Sequence, residues 1–459
     1  MLLANLEKGK TIHFIGIGGV SMSGLAEIAL SMGYSITGSD AVESETTEKL
    51  KANGIKIYIG QKEENVIGSD LVVYTAAIKK DNPEYVKAQE LNIHLMERSE
   101  FMGVLTTMYK ETIGISGTHG KTTTTSMISK AFVDANMDPT IQVGADFKQI
   151  GGNYRVGNSP YFIIESCEYV ESFLQFHPKT AIILNIEEDH LDYYRDIEHI
   201  KSAFHKFGAL VPKDGNVIYN ADDPKCIEAV KGLDCNLISF GIDNSTADWT
   251  AINIKLNDTG FYSFTATNGY ESIDINLNVV GYHNILNSLA TIATCFAYNI
   301  DLNSVKNSLE SFCGAERRFE YRGVINGAKV FDDYAHHPTE IKATIESAKK
   351  IPHNKIYVIF QPHTYSRTKA LFKEFSETFT EADSALILDI YASRESLDPT
   401  ITSQMLVDEI NNSSANANAL YMSSFEDAIS YIKDNVHEGD VVLTIGAGSV
   451  TKISHELVK

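Results

Sequence analysis

Residues 114–122 form the pattern with the clearest chemical meaning, a glycine-rich turn that ends in lysine and threonine. An apolar run that predicts a strand precedes it, and a run that predicts a helix follows. In this setting backbone N–H groups and Lys121 can hold nucleotide phosphates, and the hydroxyl of Thr122 can bind Mg²⁺. A glycine turn with an incidental lysine is the alternative, because Ile115 stands where the usual motif has its first glycine. The residues predicted to contact the nucleotide, ATP, are Gly117, Thr118, His119, Gly120, Lys121, Thr122 and Thr123.

Charged side chains follow three of the predicted strands. Glu165 follows the run YFII, His190 follows AIILN after a short acidic turn, and Asp333 ends the run KVFD. Ligands of open α/β sheets bind beyond the carboxyl ends of the strands, so these groups are candidates for a site. An oxygen and a nitrogen ligand beside a triphosphate suggest metal coordination, whereas solvated side chains are the plainer alternative. The predicted metal ligands are Thr122, Glu165 and His190.

A second glycine-rich turn, residues 16–21, also follows a predicted strand and opens a predicted helix. Backbone N–H groups at such a turn can meet a phosphate, and Asp40 at the end of the next strand can hold a ribose hydroxyl. The fit to the dinucleotide pattern is imperfect, because Ser21 occupies the third glycine position. From these residues alone a nicotinamide cofactor, another nucleotide and a turn without a ligand remain open.

Further polar clusters lie at predicted element ends. Residues 282–284 open a helix, and residues 317–320 (R-R-F-E) stand at a predicted domain junction. Residues 363–367 follow a strand, and Arg367 is suited to grip a carboxylate with two parallel hydrogen bonds. The adjacent histidines 336–337 suggest a metal only weakly, because consecutive side chains project in different directions.

The elements that position these groups form three runs of alternating strand and helix. The runs begin at 11–17, at 112–116 and after 314–316, and the third includes a predicted helix at 367–381. Such alternation indicates parallel α/β sheets. Residues 247–280 differ, because alternating polar and apolar residues predict antiparallel strands. We therefore predict three α/β domains, which comprise residues 1–107, 108–316 and 317–459.

Composition restricts the class of partner. The 459 residues include 60 acidic and 39 basic side chains, and this excess of negative charge disfavours binding to nucleic acid or to an anionic membrane. The five cysteines form no C-x-x-C pair, so neither a zinc site nor a disulfide framework is indicated. Apolar runs are too short for a membrane helix, and the first residues lack the apolar core of a signal peptide. We therefore expect a cytoplasmic protein.

Several of these motifs resemble those of the Mur ligases in order and spacing. They are G-T-H-G-K-T at 117–122, N-I-E-E-D-H-L-D at 185–192, G-Y-H-N at 281–284, R-R-F-E at 317–320 and D-D-Y-A-H-H-P-T-E at 332–340. The resemblance covers essentially the whole chain. It implies a Rossmann-like N-terminal domain for a UDP-sugar, a central P-loop ATPase domain with an antiparallel subsheet, and a Rossmann-like C-terminal domain that closes over both.

The resemblance also implies roles for individual residues. The first glycine turn is expected to face a UDP diphosphate and not a nicotinamide dinucleotide. Lys121, Glu165, His190, Arg318 and Asp333 are implied to take part in catalysis. The residues implied to bind the sugar nucleotide are Gly18, Gly19, Ser21, Asp40, Asn82 and Arg98; those implied near ATP are His283, Asn284, Asn287, Arg318 and Asp333; those implied near the amino acid are Tyr334, His336, His363 and Arg367.

Within the family, residues 16–26 and 360–368 resemble the member that adds L-alanine to the lactyl carboxylate of UDP-N-acetylmuramate. This implies ATP and Mg²⁺, an acyl-phosphate intermediate, and ADP and phosphate as products. His190 and His336 are candidates to accept the proton of the amine. A member that adds a recycled tripeptide to the same sugar nucleotide is the alternative; a nicotinamide oxidoreductase and a non-catalytic nucleotide sensor are different classes. A monomer or weak homodimer is expected.

Overall fold

The computed structural model describes residues 8–258, 260–393, 395–413 and 418–459. Its backbone divides into two compact units. The first contains the residues up to Ile186 together with Lys201–Ser239 and Ala293–Asp301. The second contains Glu187–Ile200, Phe240–Ile292 and Leu302–Lys459. The predicted domain limits near residues 107 and 316 stay a prediction.

The N-terminal part of the first unit is a parallel sheet with helices. Its elements are β1 (Thr11–Ile15), α1 (Val20–Ser31), β2 (Ser35–Asp40), α2 (Glu45–Ala52), β3 (Lys56–Ile59), β4 (Leu71–Tyr74), α3 (Pro83–Glu90), β5 (His94–Glu97) and α4 (Arg98–Thr106). The strands lie in the order β3-β2-β1-β4-β5, and each neighbouring pair is parallel. Strand β1 is central because its apolar side chains are buried completely. The order reverses beside β1, so the turn after β1 opens into the crevice where ligands of such sheets bind.

The middle of the chain begins with a second parallel sheet. Its elements are β6 (Glu111–Ser116), α5 (Lys121–Asp134), β7 (Thr140–Gln142), β8 (Tyr154–Arg155), β9 (Tyr161–Glu165), β10 (Thr180–Ile183), α6 (Ile197–Ala209), β11 (Asn216–Asn220), α7 (Pro224–Val230), β12 (Asn236–Gly241), β13 (Trp249–Leu256), β14 (Phe261–Thr267), β15 (Ser272–Val280), α8 (His283–Ala297) and α9 (Leu302–Glu310). In the first unit β11, β10, β6, β9, β7 and β8 lie side by side in this order. Strands β10, β6 and β9 pair in parallel, so their carboxyl ends share one edge.

In the second unit β13, β14 and β15 pair as an antiparallel meander. This confirms the prediction from the alternating residues of the segment 247–280. Strand β14 buries Phe264 and Ala266 and leaves the intervening residues partly exposed, as expected for a sheet with one solvated face.

The C-terminal part of the second unit contains a third sheet. Its elements are β16 (Glu320–Ile325), β17 (Ala328–Asp333), α10 (Pro338–Lys349), β18 (Ile356–Phe360), α11 (Tyr365–Ala370), α12 (Phe372–Ser376), β19 (Ser384–Leu388), α13 (Ser403–Ser413), β20 (Ala419–Met422), α14 (Phe425–Asn435), β21 (Val441–Ile445) and α15 (Thr451–Leu457). The strands lie in the order β16-β17-β21-β18-β19-β20, and only the β16–β17 pair is antiparallel among these described strands. Strands β18, β19 and β21 are buried along their whole length.

The prediction of one helix over residues 367–381 was wrong. The chain instead forms α11 and α12, because Leu371 leaves helical geometry with φ −110° and ψ 28°. The break turns the buried Leu371 and Phe375 into the same core cluster that holds Phe360. In the described ranges no helix is long and apolar enough to cross a membrane.

Candidate active site

The loop between β6 and α5 has a backbone that requires glycine. Gly117 has φ 147° and Gly120 has φ 82°. A Cβ atom on Gly117 would lie 2.8 Å from the Cβ of Leu184, which is closer than two carbons approach. Gly120 is the N-cap of α5 and makes no side-chain cap hydrogen bond, so the helix begins without a side chain over its positive end. The loop therefore has the form of an anion cradle.

Lys121, the first residue of α5, folds its side chain back over this loop. Its Nζ donates to the carbonyl oxygens of Gly117 at 2.5 Å and Thr118 at 2.9 Å, and to Oε1 of Glu168 at 3.0 Å. Burial alone would lower the pKa of Lys121, but the negative charge of Glu168 outweighs it, and the pKa lies above its usual value. The ammonium group is therefore charged and held at the loop.

Asn185 braces the same loop from the strand end after β10. Its Oδ1 accepts from the backbone N–H of His119 at 2.7 Å, and its Nδ2 donates to the carbonyl of His119 at 3.0 Å. Its own carbonyl accepts from the N–H of Thr118 at 3.1 Å. Asn185 belongs to the motif at 185–192, but neither it nor Glu168 has a predicted role. Only their contacts with the loop distinguish them.

Glu165 lies at the carboxyl end of β9, where the register pairs it with Ile115 of β6. Its Oε2 accepts from the backbone N–H of Gly144 at 2.9 Å, and a Cβ on Gly144 would clash with the carboxylate. Thr122 is buried in the first turn of α5. Both predicted oxygen ligands thus stand at strand or helix ends beside the loop edge of one parallel sheet.

The first glycine turn is also pinned by a predicted residue. The N–H of Gly18 donates to Oδ2 of Asp40 at 2.9 Å, and a Cβ on Gly18 would lie 2.9 Å from that oxygen. Nη1 of Arg98 donates to Oγ of Ser21 at 3.4 Å. The structure therefore brings these four predicted residues together around the turn after β1.

Asn82 is the N-cap residue of α3. It is buried, and its Oδ1 caps α3 by accepting from the backbone N–H groups of Glu84 and Tyr85. The contacts of Asn82 do not include the other predicted sugar-nucleotide residues. Its predicted role in binding stays a prediction.

In the second unit, the two predicted amides at the start of α8 contact one another. Nδ2 of Asn287 donates to Oδ1 of Asn284 at 2.9 Å, and Nδ2 of Asn284 donates to the carbonyl of Val280 at 2.7 Å. Both are buried, whereas the neighbouring His283 is exposed. The two amides therefore form a hydrogen-bonded pair at the start of α8.

Asp333 ends β17 and receives two backbone hydrogen bonds. Its Oδ1 accepts from Ala335 N–H at 2.7 Å and its Oδ2 from Phe319 N–H at 2.8 Å. Burial raises its pKa to about 6, against the opposing effect of the Arg318 guanidinium. The guanidinium of Arg318 lies 5.3 Å from the ring of Tyr334. These three predicted residues are therefore neighbours.

The predicted amino-acid residues form a second group in this unit. The rings of His336 and His363 are 5.9 Å apart, and the ring of Tyr334 is 5.6 Å from that of His336. Burial lowers the pKa of His336 to about 4 and that of His363 to about 3, so both imidazoles are uncharged near pH 7. Arg367 contacts His363 through Nη1 and Nδ1 at 3.1 Å. Asp189, which has no predicted role, lies beside this guanidinium, with its Oδ1 3.1 Å from Nη2 of Arg367.

Comparison with known proteins places this geometry in a family. The model described as "Mur ligase family, catalytic domain" matches residues 11–110, "Mur ligase middle domain" matches 115–295, and "Mur ligase, glutamate ligase domain" matches 317–448. Mur ligases are ATP-dependent ligases, in keeping with the loop around Lys121.

Individual relatives match over nearly the whole chain. UDP-N-acetylmuramate–L-alanine ligase of Acetivibrio thermocellus is 49% identical over 99% of this chain and 96% of its own length. Among solved structures, UDP-N-acetylmuramate-alanine ligase of Thermotoga maritima is 30% identical with a TM-score of 0.82, and each chain is covered to 98%. A murein peptide ligase of Psychrobacter arcticus is 25% identical with a TM-score of 0.73 at the same coverage. These matches confirm the predicted three-domain α/β class, and the chain belongs to the Mur ligase family.

Proposed function

We propose that this protein joins L-alanine to the lactyl carboxylate of UDP-N-acetylmuramate at the expense of ATP, in the synthesis of peptidoglycan precursors. The observation that carries the proposal is Lys121 held over a glycine loop between a parallel strand and a helix. That geometry is suited to the terminal phosphates of a triphosphate. The choice of alanine is supported by the 49% identical relative that is named UDP-N-acetylmuramate–L-alanine ligase, and by a higher similarity to the Thermotoga maritima alanine ligase than to the murein peptide ligase of Psychrobacter arcticus.

The residues of the loop fit ATP and Mg²⁺. Helix α5 begins at the loop with Gly120 as its N-cap and without a side-chain cap, so its first N–H groups can meet phosphate oxygens. The hydroxyl of Thr122 and the carboxylate of Glu165 are hard oxygen donors of the kind that Mg²⁺ prefers. When bound, Mg²⁺ neutralises charge on the phosphates. The assignment of His190 as a further ligand stays a prediction.

The first half of the reaction makes the carboxylate reactive. A lactyl carboxylate oxygen attacks the γ-phosphorus, the bond to the bridging oxygen breaks, and ADP leaves with an acyl phosphate formed. Two anions approach each other in this step, so it needs a cation at the phosphate. Lys121 supplies that charge, once its Nζ leaves the carbonyl oxygens of Gly117 and Thr118.

The second half forms the amide. The uncharged amine of alanine attacks the acyl carbon, and the tetrahedral intermediate loses phosphate as the nitrogen loses a proton. Arg367 is proposed to hold the carboxylate of alanine, because a guanidinium binds a carboxylate through two parallel bonds. The neutral rings of His336 and His363 add no positive charge beside the attacking amine.

One experiment compares the proposal with its alternatives. Phosphate release is measured with ATP and UDP-N-acetylmuramate, with either L-alanine or the tripeptide as the third substrate. We expect release with alanine and little with the tripeptide. Faster phosphate release with the tripeptide would identify the protein as the ligase that adds a recycled tripeptide. ATP binding without phosphate release would identify it as a non-catalytic nucleotide sensor. Binding of NAD(H) by fluorescence would instead favour an oxidoreductase.

Cytoplasmic location and a monomeric or weakly dimeric state stay predictions from the sequence. Sedimentation of the purified protein over a range of concentrations measures the second. A stable tetramer would contradict it.

A further inference from the structure

Asp189 is a buried carboxylate in the second unit, in contact with Arg367, to which the proposed function gives a role, and with His190, a predicted metal ligand. Its Oδ1 accepts from Nε of Arg367 at 3.3 Å and from Nη2 at 3.1 Å. The same oxygen accepts from the backbone N–H of His190 at 2.7 Å, and Oδ2 lies 3.6 Å from Nε2 of that histidine. Only 9% of the Asp189 side chain is exposed. One carboxylate therefore contacts both a guanidinium and an imidazole.

The contacts of Arg367 leave part of its fork for a ligand. A guanidinium has five N–H donors, and Asp189 takes one from Nε and one from Nη2. Nη1 donates a third to Nδ1 of His363 at 3.1 Å. One donor on each terminal nitrogen remains outside these bonds. Two terminal nitrogens are what a carboxylate needs for a bidentate contact.

His363 adds to this arrangement through its protonation state. Arginine can only donate, so Nδ1 of His363 must accept, and the ring proton is on Nε2. The ring stacks on Tyr391 with centroids 5.7 Å apart, which fixes its plane. Arg367 is thus held from two sides, by Asp189 along one edge and by His363 at the other terminal nitrogen.

The backbone at His190 also depends on its neighbour. His190 has φ 54°, a left-handed conformation that is costly for a residue with a side chain. The carboxylate of Asp189 accepts the N–H of this residue, and so helps to hold the conformation that projects the imidazole. Removal of the carboxylate would release the side chain of Arg367 and the backbone of His190 at once.

We propose that Asp189 is a positioning residue of the amino-acid site, which fixes the guanidinium of Arg367 for the carboxylate of alanine and orients His190. It acts through these residues and does not touch the substrate. The inference rests on the proposed function, which gives Arg367 to the alanine carboxylate. It goes further by naming the residue that determines where that guanidinium points.

The test uses the full-length enzyme and its phosphate release with alanine. Asp189→Asn keeps the shape of the side chain and removes its charge. We expect the KM for alanine to rise roughly 10- to 100-fold, with the KM for UDP-N-acetylmuramate changed by less than about twofold. Asp189→Glu keeps the charge and is expected to restore part of the loss. Because Asp189 also orients His190, a predicted metal ligand, the Mg²⁺ concentration that gives half the maximal rate should rise in Asp189→Asn and not in Asp189→Glu.

A double-mutant cycle tests whether Asp189 acts through Arg367. Arg367→Lys keeps the charge but loses the fork, so it should also raise the KM for alanine. If Asp189 works by holding this fork, the double variant will be little worse than Arg367→Lys alone. Asp440→Asn is the matched control, because Asp440 is a buried carboxylate at the opposite edge of the same sheet, bonded to the N–H groups of Lys355 and His437. Its KM for alanine should stay within about twofold of the wild type.

The outcomes separate this inference from the proposed function. If Arg367→Lys raises the KM for alanine and Asp189→Asn does not, the inference is overturned and the function stands. The same holds if the two effects multiply in the double variant. If Arg367→Lys has no effect while the wild type releases phosphate with alanine, the role of Arg367 and the inference fall and the function stands. If the wild type releases no phosphate with alanine, both fall. Should thermal melting show that Asp189→Asn is unfolded, Asp189→Ser, which removes the carboxylate with a smaller polar side chain, takes its place, and a wild-type KM for alanine in that variant overturns the inference.

Discussion

The two regions proposed to bind anions hold their cations in different ways. In the first unit, Lys121 bonds to two backbone carbonyls and to Glu168, and all three of its ammonium donors have internal partners. In the second unit, Arg367 bonds to Asp189 and His363 and keeps donors for a ligand. A triphosphate must therefore displace bonds of Lys121, whereas an amino-acid carboxylate can add to Arg367 as it stands.

This difference suits the chemistry proposed for each region. Charge moves during phosphoryl transfer, and a lysine on a flexible stem can follow it. The carboxylate of alanine takes no part in bond making, so a fixed fork that sets its orientation is sufficient. Under the proposed function, Lys121 can therefore move with the transferring phosphate, whereas Arg367 holds the carboxylate of alanine in one orientation. The predictions below test the two halves of this comparison.

Lys121→Ala should have the largest effect. We expect kcat to fall about 10³-fold or more, because no other group replaces the ammonium at the transferring phosphate. The dissociation constant of UDP-N-acetylmuramate should change little, since the first glycine turn is intact. Lys130→Ala, which removes a lysine paired with Asp134 on the same helix, is the control. Full turnover by Lys121→Ala would refute the role of the loop.

Gly117→Ala should have the next largest effect, and it should act on the binding of ATP alone. The added methyl meets Leu184, and φ 147° is strained for alanine, so the loop must shift. We expect the KM for ATP to rise about 10-fold with that for alanine unchanged. Gly232→Ala is the matched control, because Gly232 has φ 81° and open space around it. Equal effects of the two substitutions on ATP would show that strain alone is responsible.

Glu168→Gln should lower the stability of the free enzyme more than that of its complex with ATP. The change replaces the carboxylate nearest to the buried ammonium of Lys121 by a neutral amide, which we expect to cost about 1–3 kcal/mol of unfolding free energy. ATP would supply the missing negative charge, so its stabilising shift in Tm should exceed that of the wild type. Glu171→Gln, which breaks a more exposed pair with Lys206, is the control. A smaller ATP shift in Glu168→Gln would mean that Glu168 helps to bind the nucleotide.

The phosphate loop was predictable because its parts are consecutive. Gly117 to Thr122 act largely through backbone and one lysine, and the strand and helix around them follow from apolar patterning. The prediction for Asp40 was less complete. Its carboxylate was expected at a ribose, and the structure adds a bond to the N–H of Gly18 that only coordinates reveal.

The partners of Arg367 could not be predicted in this way. Asp189 is 178 positions away, and it comes to Arg367 through packing that no local pattern records. Likewise the break between α11 and α12 has no glycine or proline to mark it, because Leu371 is turned by its place in the core. Sites made by one segment can be read from sequence, whereas charges paired across a fold cannot.

The smallest predicted effect concerns acid stability in the amino-acid site. Burial lowers the pKa of His363 to about 3, whereas an unfolded histidine titrates near 6.5. Between these values the unfolded chain binds the additional proton, so stability is full above about pH 6.5 and falls as the pH decreases. His363→Gln removes this titration while its amide oxygen can still accept from Arg367. We expect the fall in unfolding free energy between pH 6.5 and 5 to shrink by up to about 1.4 kcal/mol per pH unit, measured by urea denaturation. A slope in His363→Gln equal to that of the wild type would contradict the fixed, neutral imidazole on which the position of Arg367 depends.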